Sequence, residues 1–179
     1  MSTKFEREIA IAEARLDRIR AGMVERAFTM LGATSRKYRT PEEGMGEEGW
    51  FDCSGFVWRL ASDAGQEEGV DLEMPRHANE QWRSFGEPCD YLQRAPGDLV
   101  FFPSRRKNDV RIIGHVGLVV SENSYIHAPG KDNSVVSTGK LPDEQIALAD
   151  IHPKDIITKN PAGIKRISVP IGSGRWRVH

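Results

Sequence analysis

The sequence predicts an α+β fold in which helices and strands form separate layers. Residues 4–31 place apolar side chains at helical spacing, and a second helical run follows a loop near residue 53. From residue 95 onward, short apolar runs separated by turn residues take over. Helices followed by consecutive strands indicate segregated layers, not a parallel sheet with crossover helices. A chain of 179 residues suffices for one domain with its own core.

Each element has its own signature. Phe5, Ile9, Ala12, Leu16, Ile19, Met23, Ala27 and Met30 recur at alternating steps of four and three, with Gly22 able to loosen the middle and Gly32 ending the run. Such a seam serves packing onto its own domain, or a helix-mediated protein partner through residues 4–31. Residues 33–49 read as a loop, with Gly44, Gly46 and Gly49 among glutamates. Asp52 is a good N-cap, so Cys53 falls in the first turn of a helix reaching about Asp63, with Gly65 as its stop. After a polar connector, residues 74–82 form a short helix with His77, whose polar setting reads as an ordinary surface histidine. Strands are expected at residues 99–102, 112–120, 125–128, 134–138 and 164–171, with a hairpin loop at 104–111. Residues 143–160 are mixed, with Ile156-Ile157 as a short strand.

Composition excludes several classes of function. Lys and Arg number 25 against 26 Asp and Glu, and this balance gives no support to nucleic-acid binding or to adhesion to anionic membranes. The short basic runs Arg105-Arg106-Lys107 and Arg175-Trp176-Arg177 read as a solvated loop and tail. No apolar run approaches the roughly 20 residues of a membrane span. The N-terminus is charged and is not a secretory signal, which leads us to expect a chain that is cytoplasmic at synthesis, or leaves by another route. Cys53 and Cys89 do not make a disulfide framework.

A thiol at a helix N-terminus meets unpaired backbone N–H groups and the positive end of the dipole, which favour thiolate. The plain alternative is a buried structural cysteine. A nucleophile needs an imidazole in reach, and the imidazole needs a third group to fix its tautomer. His115 and His127 lie twelve residues apart on strands that a short turn would pair, and Gly114 and Gly117 leave room beside them. A one-residue slip in register would put one of them on the other face. His115 alone also reads as a core histidine. A zinc site from Cys53, His115 and His127 fits none of the common ligand spacings.

Asp52-Cys53-Ser54-Gly55-Phe56-Val57, Pro96-Gly97-Asp98-Leu99-Val100-Phe101-Phe102, His115-Val116-Gly117-Leu118-Val119 and Tyr125-Ile126-His127-Ala128 resemble, in order, the motif set of the NlpC family of cell-wall cysteine peptidases. The resemblance covers about residues 23–140. It implies a papain-like fold, with the cysteine helix packed on an antiparallel sheet in residues 23–179 and residues 1–22 as a helical extension. It implies hydrolysis of peptidoglycan stem peptides or related γ-glutamyl peptides, typically at the γ-D-glutamyl–diamino acid bond, with no metal or cofactor. Cys53 would be the nucleophile, His115 the base and His127 the residue that orients it. Asp52, Ser54, Tyr38 and Arg76 would lie on the substrate side, with Tyr38 at the oxyanion site. Pro75-Arg76 with Gln81 resembles a family segment beside the cleft. The acidic loop of residues 40–48 departs from the family's usual Tyr-x-x-Gly-Gly approach, which leaves specificity open. Two other readings stand: an amidase or acyltransferase with the same triad, and a non-catalytic phage-tail or assembly module docking through its N-terminal helix.

Overall fold

A computed structural model of the chain describes residues 3–37, 40, 42–104, 112–130, 134–141 and 161–168. In chain order its elements are α1 (Lys4–Thr29), β1 (Thr34–Ser35), β2 (Trp50–Phe51), α2 (Cys53–Glu67), α3 (Ala78–Ser84) and β3 (Glu87–Cys89). A 3-10 turn (Tyr91–Gln93) then leads to β4 (Leu99–Pro103), β5 (Ile113–Ser121), β6 (Ser124–His127), β7 (Ser134–Val135), β8 (Ser137–Lys140) and β9 (Gly163–Arg166). The α+β expectation holds.

Thr3 opens α1 with a reciprocal capping box. Its hydroxyl accepts from the Glu6 N–H at 3.2 Å, and the Glu6 carboxylate accepts from the Thr3 N–H at 2.7 Å. The apolar seam then divides. Leu16, Ile19, Met23 and Ala27 are buried in the core shared with α2, whereas Phe5, Ile9 and Ile11 stand exposed. The helix runs unbroken through Gly22, which faces Ala64 of α2 at a distance where a Cβ would make an ordinary contact of 3.5 Å.

Helix α2 continues past Gly65, its expected stop, to Glu67. Gly65 is there for space. A Cβ would fall 2.6 Å from the carbonyl oxygen of Val70, whose N–H donates back to Gly65 at 2.8 Å.

The main sheet is antiparallel throughout, in the order β3-β9-β4-β5-β6-β8. Both faces are covered. Leu99, Phe101, Val116, Leu118 and Ile126 join Phe56, Val57 and Leu60 in the helix-side core, and Val100, Phe102, Val119, Tyr125 and Ile164 form a second cluster. Burial on both faces is why residues 99–102 read as an unbroken apolar run.

In a smaller sheet, β2-β1-β7, β1 lies in the stretch expected as loop and pairs with β2 and with the first two residues of the strand expected at 134–138. Two-residue strands carry no periodicity for a sequence to reveal. The strand expected at 134–138 breaks at buried Val136, so that β7 and β8 join different sheets. The expected strand at Ile156-Ile157 and most of the 104–111 hairpin loop lie outside the described residues.

The loop before α2 rests directly on the helix. At Gly55 a Cβ would fall 2.0 Å from the Gly44 carbonyl oxygen and 3.3 Å from Met45 Cα. Gly55→Ala, which helix propensity alone would favour, should therefore cost about 1–3 kcal/mol. The measure is the denaturant midpoint, and an increase would show that the loop does not sit there.

Candidate active site

Asp52 carries the local architecture. It is 2% exposed and N-caps α2, with Oδ1 accepting from the Gly55 N–H at 2.8 Å and from Ser54 Oγ at 3.0 Å. Arg76 closes on the same carboxylate with both terminal nitrogens: Nη1 donates to Oδ1 at 3.1 Å, and Nη2 donates to Oδ2. Nη1 also donates to Ser54 Oγ at 3.0 Å, and Nη2 to the backbone carbonyl of Glu43. The Asp52 N–H donates to the Gly44 carbonyl at 3.0 Å, completing the tie between loop and helix. Asp52, Ser54 and Arg76 are thus occupied with one another.

Cys53, held by this cap, projects toward the open end of the β5–β6 pair. Those strands are paired as far as Leu118↔Ile126. Beyond that pair the N–H of Val116 faces Cys53 Sγ, as does the N–H of Ser54. His115 immediately precedes Val116, and His127 immediately follows Ile126. Among the described residues, no hydrogen bond joins Sγ to a ring nitrogen; the N–H that faces the thiol belongs to the residue after His115.

The two histidines are joined directly. His115 Nε2 and His127 Nδ1 are 2.7 Å apart, with ring centroids at 4.9 Å in an edge-to-face arrangement. Both are buried. Burial, reinforced by the neighbouring His127, pushes the His115 pKa down to about 3. Burial alone takes His127 down to about 4. At neutral pH both imidazoles are uncharged.

The thiolate expectation is not met. Burial, followed by the negative charge of Asp52, pushes the Cys53 thiol up to about 12, against the opposing pull of the Val116 and Ser54 N–H groups and Arg76. Cys53 is only half-buried and still presents some surface to solvent. The resting site is a neutral thiol beside a neutral imidazole pair.

The other candidates fall as follows. Tyr38 lies outside the described residues. His77 is the half-buried N-cap of α3 and makes no side-chain capping bond. Cys89 packs on the second cluster, away from the helix-side core that receives Cys53. Gln81, grouped by resemblance with Pro75-Arg76, and Asn79, which no motif singled out, both tie elements together. Wholly buried Gln81 donates through Nε2 to the carbonyls of Ser54, at 3.2 Å, and Pro75, at 2.8 Å. Asn79 Oδ1 accepts the Ile113 N–H at 3.0 Å, pinning the start of β5 to α3. Among the described residues, no three His, Cys, Asp or Glu side chains are grouped to hold a metal ion.

A cysteine opening a buried helix, set against an antiparallel sheet that carries a histidine pair, defines a papain-like α+β domain. Within that class the chain belongs to the NlpC/P60 family, whose profile matches residues 30–147. It is 38% identical over 85 residues to the probable endopeptidase NlpC of Escherichia coli, covering 48% of this chain and 49% of that protein. It is 31% identical over 98 residues to the gamma-DL-glutamyl hydrolase of Bacillus subtilis, covering 55% of this chain and 20% of that protein. It is 33% identical over 92 residues to the E. coli murein DD-endopeptidase MepS/murein LD-carboxypeptidase, covering 51% and 43%. The chain thus spans half or less of these relatives' lengths. Among solved structures, an NLP/P60 family lipoprotein-like protein of Staphylococcus aureus superposes with a TM-score of 0.58 at 22% identity, over 86% of this chain and 42% of that one. The NlpC/p60 domain of the peptidoglycan hydrolase SagA superposes at 0.51 and 24% identity, over 68% and 88%. These likenesses concern the fold.

Two outcomes follow from this geometry. Arg76→Leu leaves a buried carboxylate without its cation and should cost about 3–5 kcal/mol, whereas adding Asp52→Asn to it should restore part of the loss; urea unfolding of the two variants checks both. The histidines set an acid limit. Their folded pKa values, about 3 and about 4, lie below the ordinary 6.5, so the unfolded chain takes up protons first. Their contribution to stability should be complete above pH 6.5 and lost as pH falls through that window. His127→Gln should flatten this slope in a pH series of denaturant midpoints.

Proposed function

We propose that the chain is a cysteine peptidase that hydrolyses amide bonds in peptidoglycan stem peptides, of the γ-D-glutamyl–diamino acid type, through a thioester. The observation that carries the reading is the hydrogen-bonded His115–His127 pair at the open end of β5 and β6, where Cys53 enters. The relatives named endopeptidase, murein endopeptidase and gamma-DL-glutamyl hydrolase support the substrate class.

Neutral partners require proton transfer and attack to be coupled. His115 takes the thiol proton at Nδ1 as Sγ attacks the carbonyl carbon. One tautomer arrangement leaves that nitrogen free: His115 donates its Nε2–H to His127 Nδ1, and His127 keeps its own proton on Nε2. The N–H of Cys53, in the first turn and without an intrahelical acceptor, is a donor to the oxyanion. Collapse of the tetrahedral intermediate expels the amine, protonated by His115, and leaves the thioester. Water, deprotonated by His115, then attacks the thioester, releases the acid and restores the thiol. No step calls for a metal or cofactor.

Asp52, Ser54 and Arg76 act here by holding the helix and loop, because a substrate carboxylate would have to displace Asp52 to reach Arg76. Of the partner surface expected on residues 4–31, the seam from Leu16 onward is taken up by the chain's own core. Within residues 4–31, Phe5, Ile9, Ile11, Phe28 and Leu31 stay exposed for a protein partner.

The test is incubation with defined muropeptides and mass spectrometry for new amine ends. Cys53→Ala and His115→Ala should each reduce kcat by about 10⁴-fold or more while remaining folded. Equal cleavage by wild type and Cys53→Ala would end the peptidase reading. Transfer of the acyl group to an added amine in preference to water would favour the acyltransferase.

A further inference from the structure

Tyr125 lies flat across three strands because two glycines leave room for it. On β6 it pairs with Val119 of β5 and Gly139 of β8. A Cβ at Gly139 would fall 2.4 Å from its Cζ and 2.6 Å from its hydroxyl oxygen; one at Gly117 would fall 2.5 Å from its Cδ2. Neither glycine adopts a left-handed backbone, so smallness is the property that both positions use.

The slot presses the ring against the histidine pair. Tyr125 lies 5.0 Å from His127 and 5.2 Å from Phe102, centroid to centroid. Phe102 in turn lies 5.8 Å from His115. With the His115–His127 contact, the four rings close a circuit in which each touches two others. Tyr125 and Phe102 are each 1% exposed, so neither ring can swing out. A single hydrogen bond leaves an imidazole free to tip about that bond. An aromatic wall on one side removes the freedom.

We propose that Tyr125 is a positioning residue: seated by Gly117 and Gly139, it fixes the ring plane of His127, and through it the tautomer and aim of His115. The inference rests on the histidine pair being the base of the proposed peptidase. Tyr125 acts through His127 by its ring, and its hydroxyl is not required.

The experiment compares Gly139→Ala, Tyr125→Leu and Tyr125→Phe in the full chain, using imidazole ¹⁵N chemical shifts at neutral pH. The kcat and KM on a muropeptide are measured alongside. Gly139→Ala and Tyr125→Leu should redistribute the Nδ1 and Nε2 signals and lower kcat by about 10²-fold with KM unchanged. Tyr125→Phe should match wild type in both readouts. The double variant Gly139→Ala/Tyr125→Leu should be no worse than Tyr125→Leu, because the added methyl then meets no ring. Unchanged imidazole signals in folded Gly139→Ala, or Tyr125→Phe as damaging as Tyr125→Leu, would overturn the proposal. If Gly139→Ala does not fold, Tyr125→Leu against Tyr125→Phe makes the same comparison. The NMR arm needs no substrate, so it decides the positioning role even if every muropeptide resists cleavage.

Discussion

The buried ion pair between Asp52 and Arg76 is the interaction on which the site depends. A carboxylate taken out of water loses several kcal/mol of hydration, which only well-placed donors recover. Asp52 receives them from the Gly55 N–H, Ser54 Oγ and both terminal nitrogens of Arg76. The same contacts cap the cysteine helix and fasten the loop at Glu43 and Gly44. One charge pair therefore sets the height, direction and surroundings of Cys53. Gly44 and Gly55 must be glycine beside it: a Cβ at Gly55 would meet the Gly44 carbonyl oxygen, and one at Gly44, whose φ is +80°, would meet the Asp52 carboxylate.

The electrostatics of the thiol come from competition between a small favourable effect and a larger unfavourable one. A helix terminus contributes about 0.3–1 kcal/mol toward the charged form. One pKa unit corresponds to about 1.4 kcal/mol, so the dipole cannot offset burial that moves the thiol from 9.0 to about 12. Asp52, indispensable as a cap, adds a negative charge nearby and pushes the same way. The cap and the thiol are in mild opposition. In the proposed reaction, that favours loss of the proton during attack over a preformed thiolate–imidazolium pair.

Much of this was legible in the sequence, and the legible part has a common character. The cysteine helix, its Asp52 cap, the strands bearing His115 and His127 and the layered α+β order all rest on local signals: periodicity, capping chemistry and turn residues. What escaped was non-local. Gly65 reads locally as a stop, but it serves contact with Val70. The strands β1 and β2 are too short for a pattern to show. Arg76 stands beside His77 in a polar stretch, and nothing local reveals that its partner is Asp52, 24 positions earlier. The state of the thiol is non-local too: the helix terminus is visible in the sequence, but the packing against the core that raises its pKa is not.

Register is the last link between sequence and site, and a bulge decides it. In a regular strand Ile113 and His115 would share a face. Ile113 belongs to the helix-side core, so a regular β5 would turn His115 into that core as well. The structure instead pairs Phe102 with His115 and Pro103 with Ile113, shifting register across Gly114. A side chain at Gly114 would press on Ser104, with Cβ 2.8 Å from its Cα. The extra residue sends Ile113 to one face and His115 to the other, beside Phe102. There His115 meets His127, which approaches from β6 on the same side as Tyr125. The glycine before His115 thus does more than make room for a substrate: it assigns the imidazole to the face where its partner waits.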